Sequence, residues 1–230
     1  MLRGVDNNKD QTYFLCQLNQ NQLNNSLFPI GELTKPEVRQ IAEELDLPVA
    51  HKKDSTGICF IGERDFREFL KNYIPAKSGK MVDIVSKKVI GEHQGIMYYT
   101  IGQRKGLGIG GNGEPWFVVG KDYDKNILYI AQGDSNKWLL SHGALITDVN
   151  WVSATKPEGE YDCTAKFRYR QRDNDVSLHF IDETTLYVTF KKPIKAVTPG
   201  QAAVFYDGDV CLGGGTIDKV YKDGKEIDYL

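Results

Sequence analysis

The sequence predicts an α+β chain of more than one domain, and three observations carry that expectation. Helical periodicity is confined to the first third, and short β-branched and aromatic runs separated by turns fill the remainder. The length of 230 residues leaves room for one large domain or two to three small ones. About six candidate strands without a helix make up the last block, which implies a small β-barrel or a sandwich.

In chain order, Tyr13, Phe14, Gln17 and Leu18 suggest a short amphipathic turn ahead of an Asn/Gln-rich stretch at 19–25. Thr34 and Glu37 form a T-x-x-E capping box with Pro36 in the first turn. Val38, Ile41, Ala42 and Leu45 then recur at helical spacing until Pro48 closes the element. The run 58–61 is too short to classify, and Phe66, Phe69, Leu70 and Tyr73 predict a second helix that Pro75 ends. Candidate strands follow at 81–85, 116–119 and 127–131, with the glycine-rich segment 103–114 expected as an extended loop. The last block offers strands at 145–151, 161–169, 175–181, 185–190, 202–206 and 210–217.

A net charge of −2 gives no overall bias toward nucleic acid or anionic membrane, so any polyanion must meet a local patch. No apolar run approaches a membrane span. The start, from Met1 to Asp6, lacks the features of a signal peptide, which predicts a cytoplasmic protein with reduced thiols. Cys16, Cys59, Cys163 and Cys211 are far apart, and neither they nor His51, His93, His142 and His179 show metal-site or triad spacing.

Three features could carry chemistry. In 166–172, Lys166, Arg168, Arg170 and Arg172 alternate with other residues, and in a strand they would share one face as a row about 20 Å long. Such a row is either a solvated or aggregation-protecting face, or a phosphate-tracking stripe. The run 106–111 spells G-x-G-x-x-G, but Arg104-Lys105 before it and Asn112-Gly113-Glu114-Pro115 after it are not the strand and helix of a dinucleotide fingerprint. It is a glycine-rich turn without ligand, or a loop that approaches a nucleic-acid backbone. Cys59 precedes a predicted helix and has Lys52, Lys53 and Arg64 near in sequence, which favours thiolate, whereas Ile58, Phe60 and Ile61 around it favour an inert core residue.

Several long stretches, in order, resemble the bacterial tRNA-specific 2-thiouridylase family: D-N-N-K-D-Q-T-Y-F-L at 6–15, F-P-I-G-E-L at 28–33, K-D-S-T-G-I-C-F-I-G-E-R at 53–64, T-I-G-Q-R-K-G-L-G-I-G-G at 100–111 and T-P-G-Q at 198–201. The resemblance implies an ATP-dependent tRNA-uridine 2-sulfurtransferase in which an ATP-pyrophosphatase domain adenylates the uracil C2 oxygen of the wobble uridine. A cysteine persulfide then supplies the sulfur. Cys59 matches the persulfide-bearing cysteine. Lys9, Asp10 and Gln11 match a tRNA-contacting helix start, and Arg168, Tyr169 and Gln201 match tRNA contacts in a C-terminal barrel. Arg170 and Arg172 are added from the alternation alone. Tyr169 would face away from the basic row in a straight strand, so a strand end or bend is expected there.

The family's S-G-G-V-D-S-S motif and its partner cysteine do not occur in this chain. The resemblance therefore implies a C-terminal portion. In it, 1–62 is the helical tail of an α/β PP-loop ATP-pyrophosphatase domain, 63–142 a small β-rich central domain and 143–230 a six-stranded antiparallel β-barrel that binds tRNA. ATP, with Mg2+, would be bound outside this chain, and the expected partners are tRNA and a persulfide sulfur-donor protein, with no membrane. The first block, deprived of its sheet, is expected to be partly mobile or repacked. Taken alone such a piece would be inactive; a stand-alone RNA-binding module is the alternative.

Overall fold

The computed structural model describes residues 1–53, 69, 70 and 72–229. Its contacts divide into two compact units: Met1–Glu44 with Leu140–Asp228, and Leu45–Leu139 with the end of the chain from Tyr229. Cys59 and most of the helix expected around Phe66 lie outside the described residues.

Three short helices open the first unit: α1 (Thr12–Leu15), α2 (Gln20–Asn24) and α3 (Lys35–Glu44). The Asn/Gln-rich stretch forms α2 because Asn19 and Gln22 cap each other reciprocally. At α3 the Glu37 carboxylate accepts both the backbone N–H and the hydroxyl of Thr34, at 2.6 and 2.7 Å, as the T-x-x-E pattern predicts. None of its residues is buried, however, and Ile41 on its apolar stripe is exposed among the described residues.

The second unit is a four-stranded mixed sheet in the order β2-β1-β4-β3, formed by β1 (Gly79–Asp83), β2 (Val89–His93), β3 (Trp116–Asp122) and β4 (Ile127–Gln132). β1 and β4 run parallel and the other neighbours antiparallel. Met81, Val118, Leu128 and Ile130 are fully buried in it. The first strand stops at Asp83, two residues short of the expected end, because that carboxylate accepts from the Val85 and Ser86 backbone N–H groups and turns the chain.

The last block is a closed six-stranded antiparallel barrel of β5 (Leu140–Trp151), β6 (Tyr161–Lys166), β7 (Asn174–Phe180), β8 (Leu186–Lys195), β9 (Ala202–Asp207) and β10 (Val210–Lys222). The short β11 (Lys225–Glu226) is added on β10. Closure, rather than a sandwich, follows from β10 pairing with both β5 and β9. Glycine lets β10 serve both neighbours: Gly213 has φ +150°, and a Cβ there would lie 2.0 Å from the Asn150 carbonyl oxygen. Phe167 and Phe190, 4.9 Å apart, are buried in the interior, as is Phe205, whose ring stacks 6.0 Å from that of the half-buried Trp151.

Met1–Glu44 packs with this barrel in one unit. Tyr13 and Cys16 of α1 join Val152, Val204, Tyr206 and Cys211 in one buried cluster. The Asn150 side chain donates to the Cys16 and Leu18 carbonyls at 2.9 and 3.1 Å, and the Cys211 N–H donates to the Met1 carbonyl at 2.9 Å. No helix among the described residues is long and apolar enough to cross a membrane.

Candidate nucleic-acid interface

The basic alternation does not form the expected row. β6 ends at Lys166, and 167–173 is a turn that Gln171 closes: its side-chain carbonyl accepts the Phe167 N–H at 2.7 Å and its own N–H donates to the Arg168 carbonyl at 3.1 Å. Arg170 has φ +63°, a left-handed conformation no strand contains. Lys166 is nearly buried, with Nζ 3.9 Å from an Asp173 oxygen and 5.5 Å from the Tyr206 ring centroid. Arg170 and Arg172 are exposed on the turn. The bend that Tyr169 requires is therefore present, and the common strand face for Lys166, Arg168, Arg170 and Arg172 is not.

Residues 6–14 meet this turn. The Asp6 carbonyl accepts from the Lys9 and Asp10 N–H groups, which places Lys9 on a tight turn ahead of α1. Asp10 is buried. Its carboxylate accepts from the Gly4 and Thr12 N–H groups at 3.1 and 3.2 Å and from the Thr12 hydroxyl at 2.7 Å, so it shapes the segment from within. Gln11, exposed, donates from its side-chain amide to the Lys9 carbonyl at 3.2 Å and to the Tyr169 hydroxyl at 2.9 Å. The Tyr169 ring lies 4.6 Å from that of Phe14 and 6.2 Å from that of Tyr13, with the Arg170 guanidinium 5.3 Å from its centroid.

Arg168, half-buried, donates to the Thr198 hydroxyl at 3.3 Å. The Thr198 carbonyl accepts from the Gln201 N–H at 3.3 Å, and the exposed Gln201 is held in turn by the Ile217 N–H donating to its carbonyl at 2.8 Å. Burial lowers the guanidinium's pKa, opposed by nearby Tyr13, whose own phenol burial pushes up to about 12. Arginine stays cationic at neutral pH under such a shift.

One rim of the first unit thus gathers Gln11, Arg168, Tyr169 and Gln201 from three distant stretches. Amides, an aromatic face and a positioned guanidinium are the groups that contact bases and phosphates of RNA. Pattern reading missed Phe14, Thr198 and the Arg3–Asp173 pair beneath the turn. Arg3 donates to both Asp173 carboxylate oxygens at 2.8 and 3.1 Å and stacks 3.7 Å from the Tyr206 ring centroid. Phe14 and Thr198 lie inside the motifs at 6–15 and 198–201 but are not singled out there, and Arg3 and Asp173 carry no local sequence signal.

Burial pushes the thiols of Cys16 up to about 11 and of Cys163 and Cys211 up to about 12, which disfavours thiolate at all three.

Residues 1–63 match a family model described as tRNA methyl transferase HUP domain, 67–132 one described as tRNA methyl transferase PRC-barrel domain and 141–217 one described as Aminomethyltransferase beta-barrel domain. Over all 230 residues the chain is 60% identical to proteins of Bacillus cytotoxicus, Bacillus cereus (strain ATCC 14579) and Bacillus thuringiensis (strain Al Hakam), each named tRNA-specific 2-thiouridylase MnmA. The chain belongs to the tRNA-specific 2-thiouridylase family. It spans 62% of the length of these relatives.

Use of ATP in this family raises the question of whether the described residues could hold it. The glycine-rich run continues through bends into β3 rather than into a helix, and so lacks the helix N-terminus that cradles a pyrophosphate. Among the described residues no group of three His, Cys, Asp or Glu side chains converges as a metal site. The described residues do not fit a nucleotide-triphosphate site.

Proposed function

We propose that this chain is the RNA-holding and sulfur-carrying portion of a cytoplasmic tRNA-uridine 2-sulfurtransferase. Cys59 carries the transferable sulfur as a persulfide, Gln11, Arg168, Tyr169 and Gln201 contact tRNA with Lys9, Arg170 and Arg172 beside them, and Asp10 holds the segment's shape. The observation that carries the reading is the convergence of Gln11, Arg168, Tyr169 and Gln201 on one rim, in a chain whose full length resembles 2-thiouridylases. Whole-chain similarity to proteins of that name outweighs the methyl-transfer wording of the single-domain descriptions.

In this reading residues 1–62 belong to an ATP-pyrophosphatase domain, 63–142 to a central domain and 143–230 to the tRNA-binding barrel. Activation by ATP with Mg2+ is assigned to residues outside this chain, and sulfur comes from a persulfide donor protein. The chain alone then binds tRNA without thiolating it.

The test has two arms. tRNA binding by the 230-residue chain is titrated against salt, and Arg168→Ala should reduce the slope of log K on log salt by about 0.7 to 0.9. In a protein extended to the length of the relatives, Cys59→Ser should abolish thiolation and leave tRNA affinity intact. Undiminished thiolation overturns the Cys59 role. A stand-alone RNA-binding module, favoured by a rim complete within this chain, is the outcome if binding holds and the extended protein shows no thiolation at all.

A further inference from the structure

We infer that the glycine-rich loop 103–111 of the second unit is a second RNA contact, which takes backbone phosphate on its bare main chain at 108–111 with Arg104 and Lys105 as the paired charges. This rests on the RNA reading above and extends it to a loop outside the barrel rim.

The loop is held in place and presented outward. Gly102 N–H donates to the Val118 carbonyl at 2.7 Å and Val118 N–H to the Gln103 carbonyl at 3.0 Å, which extends the sheet pairing into its base. The Gln103 side chain accepts from the Thr100 N–H at 3.0 Å and donates to the Lys105 carbonyl at 2.9 Å, so the corner that bears both cations is latched from within. Leu107 is buried as an anchor. Arg104, Lys105, Gly106, Gly108, Gly110 and Gly111 are exposed. Among the described residues no carboxylate pairs with Arg104 or Lys105, and Glu114, the acid of the run, reaches toward Gly133.

Gly110 is the informative position. Gly106, Gly108 and Gly111 have φ of +77°, +68° and +122°, conformations that explain glycine by themselves. Gly110 has no such φ, and a Cβ there meets nothing within 4 Å. Among the described residues neither backbone strain nor packing calls for glycine at this position. Close approach of an outside group to the main chain is a physical reason that fits. Bare glycine backbone that clamps nucleotides, with guanidinium and ammonium groups to match phosphate, is an established mode of RNA contact. An exposed loop that leads into a strand rather than a helix suits a tracked RNA backbone better than an enclosed free triphosphate.

The test uses the 230-residue chain with tRNA in a salt titration, beside a combined Arg104→Gln, Lys105→Gln variant, Gly110→Ala and Arg168→Ala. Two lost phosphate contacts should lower the salt slope by about 1.4 to 1.8, so that a fourfold rise in salt weakens the parent about tenfold more than the double variant. Gly110→Ala should weaken binding at least threefold with an unchanged melting temperature. Parent-like affinity and slope in both loop variants, with Arg168→Ala weakened, overturn the loop contact and leave the rim standing. No tRNA binding by the parent overturns both. Competition by inorganic tripolyphosphate at micromolar concentration, lost in the loop variants, would assign the loop to a free polyphosphate and overturn the RNA assignment.

Discussion

The side-chain amide of Gln11 donates to the hydroxyl of Tyr169 over 2.9 Å, joining residues 158 positions apart. One belongs to the segment that precedes α1 and the other to the turn after β6. The bond therefore couples the orientation of the first block to the turn that carries Arg168.

Tyr169→Phe tests that coupling, because it removes the hydroxyl and retains the ring that packs on Phe14 at 4.6 Å. An exposed neutral hydrogen bond contributes about 0.5 kcal/mol, so thermal stability should hardly change. tRNA affinity should fall roughly twofold to threefold, the same in Gln11→Ala and not further in the double variant. Additive losses in affinity would show that the two side chains act separately.

The Arg3–Asp173 pair is of a different kind. The Arg3 side chain is 9% exposed and Asp173 36%, the contact is bidentate, and the guanidinium also lies on the Tyr206 ring. Arg3→Ala should destabilise the first unit by about 1 to 2 kcal/mol, after allowance for the solvent screening of Asp173. Urea unfolding measures it. By contrast Lys125→Ala, which breaks an equally short pair with Asp122 whose lysine is largely exposed, should leave the midpoint unchanged.

These two contacts also mark where sequence pattern stops being informative. Thr34 and Glu37 are three residues apart and their cap was legible, as were most barrel strands from their alternating apolar residues. The end of β6 was not, because alternation continues through Arg172 while the backbone is turned by a Gln171 side chain and a left-handed Arg170. β2 was missed because Val-Ile-Gly-Glu-His is short and has glycine at its centre. The apolar stripe of α3 announced a helix, yet periodicity carries no information about what covers the stripe. At the candidate interface, Arg168 was found from its charge and Gln11 and Gln201 from family motifs. Thr198 and Phe14 lie in the same motifs, and only the fold shows that they touch Arg168 and Tyr169.

His93 makes stability in the second unit depend on pH. Its side chain is fully buried, Nδ1 accepts the Gly95 N–H at 3.2 Å and Nε2 lies 3.1 Å from the Asn126 carbonyl, an arrangement that fits the neutral Nε2–H tautomer. Burial depresses its pKa below the ordinary 6.5. The unfolded chain then binds the proton more readily, so this stabilisation is complete above about pH 6.5 and is lost as pH falls toward the folded value. Thermal unfolding between pH 7.5 and 5.5 should show a declining midpoint that His93→Gln flattens. An equal decline in the variant would transfer the effect to other groups.

Thiol reactivity tests the sulfur-carrier assignment without tRNA. Burial raises Cys16 to about 11 and Cys163 and Cys211 to about 12, so at pH 7.5 each is thiolate to well under about 0.1%. A persulfide carrier must instead present an accessible, readily ionised sulfur to a donor protein and to RNA. With an aromatic disulfide reagent at pH 7.5, the folded chain should therefore react rapidly at one thiol. That fast phase should vanish in Cys59→Ser, and the other three thiols should react only when the chain is unfolded in denaturant. A fast phase that survives Cys59→Ser would place the reactive sulfur at Cys16, Cys163 or Cys211, against both their raised pKa values and the proposed role of Cys59.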